Sequence, residues 1–419
     1  MTSPSKRFAL EEDWVIVFLG FIIILLAVSG FIVPVPGFSW KGSADLANSV
    51  FSASNLGKIG MQFLFLYAFA VAATWLTGKP IRNVLIVFPF VAVLTVFALI
   101  LAGNAQIKGL NLEAVIFSLT LGLLVSNIFT LPAWIRESLT AELFVKIGLV
   151  LLGASVIFGD ILKAGSLGLI QALIVVVAVW YFAFWLCRKL KIDEELTIMI
   201  SSAVSICGVS AAIATAGAIK GDPKKLSYVI SLVLITAIPM MIVMPYIAKT
   251  FGFPEEVTGA WLGGSIDTTG AVVASGTLVG ETALKISTIV KFSQNVLLGL
   301  AAFAISVYWT YTNKPASEST VGKPTLQIIW DRFPKFVLGF IVASLVFSFL
   351  LSPETVAGVK ESIKSIQNLW FVLAFTSIGL ETRFSEIFNA ESKKPLIGFL
   401  AAQLFNIIIT LLVAFALFG

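Results

Sequence analysis

The sequence predicts an all-α polytopic membrane protein with roughly 11–13 transmembrane helices, each needing about 20 apolar residues, with internal repeats and two discontinuous helices at a midplane site. Three observations predict it. The 419 residues are 58% hydrophobic and 12% charged, with a mean hydropathy of +1.00, a balance that a water-exposed surface does not tolerate. Apolar runs long enough to cross a hydrocarbon core recur from Trp14–Val33 to Leu396–Phe418. A segment rich in glycine, serine and threonine is repeated 60 residues downstream, which is how many transporters interrupt their helices.

The runs are joined by short connections, and the longest polar stretch, Asn313–Arg332, is too short to fold alone. A single transmembrane domain over 1–419 is therefore expected. Within it, 142–309 is expected to form the core transport unit carrying the repeated broken helices, with 14–131 and 334–418 as scaffold and remaining core helices.

Lys6 and Arg7 precede the first run and Glu11, Glu12 and Asp13 adjoin it, without a clean small-x-small cleavage pattern, so an uncleaved first helix is expected. A cytoplasmic N-terminus puts Lys79, Arg82, Arg136, Arg188, Lys189, Lys191, Lys249, Lys314, Lys323, Arg332, Lys335, Lys393 and Lys394 inside and fewer cations outside, by a modest margin because Lys220, Lys224 and Lys225 fall there. The basic balance, pI about 9.1, is read as membrane anchoring and not as a nucleic-acid footprint. Cys187 and Cys207 have no spaced partners, and no bridge or metal site is expected from them. The absence of histidine removes the commonest metal ligand and acid–base group, so no enzyme, catalytic residue, metal or cofactor is expected.

The repeat pairs SICGVSAAIATAG from Ser205 with SIDTTGAVVASGT from Ser265, and continues as Lys225-Leu-Ser-Tyr-Val-Ile against Lys285-Ile-Ser-Thr-Ile-Val. Helices broken at such segments expose unpaired backbone N–H and C=O groups, and the positive end of a half-helix faces an anion. Close packing of small residues explains the composition of one copy; the duplication favours a two-sided site built on Ser205, Cys207, Gly208, Ser210, Ser265 and Gly270. Two-helix repeats keep one orientation, whereas a re-entrant element in each copy changes the parity and inverts them. Hydropathy leaves that choice open. A second pairing, GASVIFGDIL from Gly153 with GLETRFSEIF from Gly379, is weaker.

Charges within apolar runs need a reason. Asp267, beside Thr268 and Thr269, suits a sodium ion or a proton, the alternative being a carboxylate bonded to a helix end. Lys291 followed by Gln294 and Asn295 could hold an oxyanion, or the lysine could snorkel to the interface. Glu142 and Lys146 are spaced as a helix-edge ion pair. Pro239 and Pro245 are expected to kink their span.

SICGVSAAIATAG, GGSIDTTGAVVASG from Gly263, IVKFSQNVLLG from Ile289 and FTSIGLETRF from Phe375 together resemble the sulfate exporter family, the YeiH-type bacterial inner-membrane transporters. The resemblance covers about 112–418 and implies export of sulfate, sulfite or a related sulfur oxyanion. The chain departs from some members at Asp267 and Thr268, where a His-Glu pair stands, and near Gln294, where an arginine stands.

The expected function is secondary active transport of a small anion across the bacterial inner membrane by alternating access, coupled to H+ or Na+. Asp267, Thr268 and Thr269 would hold the coupling ion. Ser205, Cys207, Gly208, Ser210, Ser265, Gly270, Lys291, Gln294 and Asn295 would line the substrate site. The rival readings are a Na+/H+ antiporter and an anion channel. The expected partners are the anion, the lipid bilayer and, by analogy, a second copy in a homodimer.

Overall fold

The computed structural model describes residues 10–109, 114–219, 221–312, 330, 334–382 and 393–419. The cations Lys6, Arg7, Lys220, Lys314, Lys323, Arg332 and Arg383, and the Phe384 and Glu386 of the weaker repeat, lie outside the described residues. The main helices are α1 (Glu12–Val28), α2 (Ala53–Leu76), α3 (Ile81–Ala102), α4 (Ala114–Ile128), α5 (Ala141–Gly153), α6 (Phe158–Lys189), α7 (Glu194–Ser202) and α8 (Val209–Ile219). They continue as α9 (Pro223–Thr250), α10 (Glu255–Ser265), α11 (Thr269–Val279), α12 (Glu281–Thr312), α13 (Lys335–Leu345), α14 (Pro353–Glu381) and α15 (Lys393–Phe418).

No strand occurs among the described residues. The protein is an all-α polytopic membrane protein. Six described helices, those within α2, α3, α6, α9, α14 and α15, are each long and apolar enough to cross a bilayer unbroken. That is fewer than the apolar runs of the sequence, because several runs are interrupted or short. The run over 112–131 yields the 15-residue α4. The runs over 196–217 and 256–277 are each split in two.

The chain divides into two compact units, one of residues 1–158 and 335–383 and the other of 159–334 and 384–419. In the first, α14 is the most enclosed of the six, with 78% of its most apolar window buried. It lies against α4, where a β-carbon on Gly122 would meet Thr376 O and one on Gly379 would be 2.5 Å from Leu119 O. Only glycine permits that backbone approach, the usual way helices associate where burial from water offers no drive. Thr95 and Thr376 share a hydrogen bond of 2.8 Å. The Glu142–Lys146 pair is present at 3.5 Å, and Lys146 also reaches Asp13 of α1 at 3.0 Å.

The second unit is built on the repeat. Hairpin A consists of α7, a π-helical turn over Ala203–Cys207, Gly208 and α8. Its two ends meet: Lys225, in the first turn of α9, bonds Asp193 at 2.5 Å and Glu195 at 3.1 Å, and Asp222 N donates to Glu195 at 3.2 Å. Hairpin B consists of α10 and α11, and its ends also meet. A β-carbon on Gly280 would lie 2.7 Å from Glu255 Oε1, while Gly259 of α10 and Gly276 of α11 both pack on the Ala283–Ser287 turns of α12. Both segments therefore enter, turn and leave on the side they entered. Arms of 11 residues, as in α8, α10 and α11, reach about 16 Å, half of a ~30 Å hydrocarbon core.

Helix α9 sets the two hairpins against each other. It begins at the mouth of hairpin A and ends, 28 residues later, just before the mouth of hairpin B, a rise of about 42 Å. Pro239 and Pro245 lie within it. Each repeat is thus one re-entrant hairpin followed by one long helix, an odd number of crossings. The two copies are inverted, and their tips meet beside the middle of α9, where Val233 packs against the Gly208 turn.

Candidate functional site: the paired hairpin tips

Each first arm stops at a tip, leaving its last carbonyls without helical partners. Apolar surroundings make that costly, and side chains from the long helices supply the donors. Lys291 of α12 is 1% exposed; its Nζ donates to Ile206 O at 3.0 Å, Ile266 O at 2.8 Å and Gln294 Oε1 at 2.8 Å. Those three bonds use all the protons of the ammonium. Ile206 and Ile266 are equivalent residues of the two repeats, so one cation captures a carbonyl from each hairpin. It sits where the negative ends of two half-helix dipoles converge.

The neighbouring carbonyls are treated in the same way. Gln294 Nε2 donates to Ser205 O at 3.0 Å and Gly264 O at 3.3 Å. From α15, Asn406 Nδ2 donates to Val204 O at 3.0 Å and Ser265 O at 3.2 Å, and Gln403 Nε2 donates to Ser265 O at 2.8 Å. Thr410 Oγ1 donates to Asn406 Oδ1 at 2.8 Å, fixing that amide. Gln171 Nε2 of α6 donates to Ala260 O at 2.7 Å. Thus Val204, Ser205 and Ile206 in one copy, and Gly264, Ser265 and Ile266 in the other, all accept side-chain hydrogen bonds.

Gly208 makes the sharp reversal of hairpin A. Its φ of 59° is in the region that favours glycine, and a β-carbon there would lie 2.6 Å from Val233 Cγ1 and 3.0 Å from Asp267 Cβ. Asp267 is 2% exposed, and its Oδ2 has no hydrogen-bond partner. Thr268 caps α11, its hydroxyl accepting from Ala271 N at 3.3 Å, so one of the two hydroxyls expected to hold a coupling ion is spent on the helix start. Thr269 and Gly270 form the first turn of α11 and are half-buried, while Ser210, in the first turn of α8, is exposed. The second arms therefore begin with accessible turns carrying positive dipole ends, whereas the first arms end buried.

The structure gathers Ser205, Gly208, Ser265, Asp267, Lys291 and Gln294 at the tips. The Ser205 hydroxyl is turned into its own helix, donating to Ser201 O at 2.7 Å, so its share in the cluster is its backbone carbonyl. Cys207 is buried in the turn beside Gly208. The Ser265 hydroxyl and Asn295 Oδ1 are buried without hydrogen-bond partners. Gln403, Asn406 and Thr410 were not among the expected residues. Their signal was available: three polar side chains at i, i+3 and i+7 on an otherwise apolar helix share one face.

The family model described as "Conserved hypothetical protein 698" matches residues 86–398, a span that contains both hairpins and Lys291 and stops short of Gln403. A UPF0324 membrane protein of Rhodopirellula baltica is 38% identical over 377 residues, covering 88% of this chain and 69% of the relative. One from Nitratidesulfovibrio vulgaris is 40% identical over 362 residues, covering 84% and 62%. One from Nitrosomonas europaea is 27% identical over 447 residues, covering 90% of each. The chain spans less than two thirds of the N. vulgaris relative. No solved structure matches it. With three quarters of its length inside one family model and with relatives named as membrane proteins in the same terms, the chain belongs to the family of conserved hypothetical protein 698, the UPF0324 membrane proteins.

Proposed function

We propose that the protein is a secondary active transporter that carries a small anion across the bacterial inner membrane by alternating access, driven by a proton or sodium gradient. The substrate class is sulfate, sulfite, a related sulfur oxyanion or a small organic anion. The observation that carries this reading is the meeting of two inverted re-entrant tips around a buried lysine, with the starts of α8 and α11 left accessible beside it. Opposed broken helices at mid-depth are how many secondary transporters bind solutes. An anion there would meet the N–H groups of two helix starts, the hydroxyls of Ser210 and Thr269, and the field of Lys291. Asp267 is the coupling-ion residue.

A second reading, cation/proton antiport, is favoured by one observation. Lys291 has no proton left for a substrate, while Asp267 Oδ2 is free to take a cation or proton. Uptake of radiolabelled sulfite and sulfate into proteoliposomes, with sodium and proton gradients imposed separately, separates the two. Uphill anion accumulation supports the first. Sodium-driven proton movement with every anion omitted supports the second, and flux that no gradient drives uphill points to a channel.

A further inference from the structure

Resting on that reading, the geometry points to the identity and charge balance of the coupling: Asp267 carries a proton, and the tips accept a small anion when its carboxyl is protonated and refuse it when ionised. One proton and one negative charge then cross together.

The first line of argument is what surrounds Asp267. A sodium ion needs a cage of oxygens; hard cations take about six. The buried oxygens left without partners there are Asp267 Oδ2, the Ser265 hydroxyl, Asn295 Oδ1 and Gln403 Oε1, fewer than such a cage takes, and the rest are already engaged. Ile206 O and Ile266 O accept from Lys291, Val204 O and Ser265 O from Asn406, and the Thr268 hydroxyl caps α11. A cation placed among them would share each oxygen with a donor, including a fixed ammonium. A proton needs one oxygen, and Asp267 Oδ2 is buried without a partner. Ionised, that oxygen would be an unsolvated charge end; protonated, the carboxyl is neutral.

The second line is the charge count. Lys291 and Asp267 are the cation and the carboxyl gathered at the tips, with the Cys207 thiol buried in the turn next to Gly208. Other side chains that meet the tips are neutral: Val233 of α9, Gln171 of α6, Gln294 of α12, and Gln403 and Asn406 of α15. With Asp267 ionised the cluster is balanced, and an entering anion meets a carboxylate at low dielectric, where like charges repel strongly. With Asp267 protonated the cluster is one positive charge, which one negative charge neutralises. Anion and proton thus favour each other's binding, a reciprocal linkage, and the loaded site crosses the membrane without net charge.

The test uses purified full-length protein in proteoliposomes with radiolabelled sulfite and sulfate. Three quantities are read: equilibrium exchange of label across a pH series, accumulation under a pH gradient with the membrane potential clamped, and accumulation under a sodium gradient at uniform pH. The expected result is exchange that strengthens as pH falls, accumulation approaching about tenfold per pH unit for one proton per anion, and none with sodium alone. In Asp267→Asn the pH dependence of exchange should flatten and gradient-driven accumulation should vanish. Wild-type exchange without proton-driven accumulation, or accumulation driven by sodium, overturns this inference and leaves anion transport standing. Absence of any anion exchange overturns both. If Asp267→Asn does not fold, the wild-type gradient experiments decide alone.

Discussion

Gly208 packs directly against Asp267: a β-carbon on the glycine would lie 3.0 Å from the aspartate β-carbon. The two residues sit at the turning points of different hairpins, so their contact is where the inverted repeats touch. The glycine is needed twice over there, for its φ of 59° and for the space taken by Val233 on its other side.

Gly208→Ala is therefore expected to be strongly destabilising. A φ of 59° with ψ of −109° is a sparsely populated region that costs a non-glycine residue about 1–3 kcal/mol, and a methyl 2.6 Å from Val233 Cγ1 adds an overpacking penalty of about 1–3 kcal/mol. Gly217→Ala, in the same hairpin but with nothing within 4 Å of the added carbon, should be neutral or stabilising by up to ~1 kcal/mol. Thermal unfolding in detergent of the two variants checks the contrast; equal effects would remove the special role given to the Gly208 turn.

Lys291→Met is expected to leave Ile206 O and Ile266 O without their donor, at roughly 1–3 kcal/mol for each buried carbonyl. The loss of the central cation should also abolish anion exchange. Limited proteolysis and thermal unfolding read the first effect, and label exchange in proteoliposomes reads the second. A variant that kept wild-type stability would show that the ammonium does not hold the tips together.

Asn406→Leu should destabilise the same pair of tips from the α15 side, because Val204 O and Ser265 O share that amide. Thr410→Val removes only the bond that orients the amide and should cost less, about 0.5–1.5 kcal/mol for one hydrogen bond. The two substitutions should be non-additive by at least about 0.5 kcal/mol in a double-mutant cycle. Strict additivity would mean that Thr410 does not act through Asn406.

These residues also mark what was legible in the sequence and what was not. Composition alone identifies the solvent as lipid, and the repeat at Ser205 and Ser265 locates both tips to within three residues of Gly208 and Asp267. Apolarity does not distinguish a run that crosses the bilayer from one that doubles back, since both bury similar side chains. What distinguishes them is the closing of each hairpin's ends, Asp193 with Lys225 and Glu255 with Gly280, and these are long-range contacts. The Lys291–Gln294–Asn295 cluster was visible as polarity in an apolar run. The partners of Lys291, however, are backbone carbonyls, which every residue has and no sequence pattern advertises. The Thr268 hydroxyl suggests an ion ligand in the sequence; its place immediately before α11 is an N-cap position, a use that threonine fills readily.

The inverted arrangement makes a topological prediction that does not depend on transport. Lys224 lies at the mouth of hairpin A and Glu256 at the mouth of hairpin B; both are exposed. Between them runs the 28-residue α9, about 42 Å of helix, more than enough to separate the two faces of a bilayer. Lys224→Cys and Glu256→Cys should therefore react with a membrane-impermeant maleimide from opposite sides, one in intact cells and the other only in inverted vesicles. The native cysteines should contribute little background, since Cys187 and Cys207 are both buried. Parallel repeats, with hydropathic runs that each cross the bilayer, differ only beyond Glu256: α9 places Glu256 opposite Lys224 in either scheme, but a crossing by α10 and α11 would bring Glu281 back to the side of Lys224. A cysteine at 281 is thus the deciding position. Labelling from the side of Glu256 requires the hairpin; labelling from the side of Lys224 rules it out.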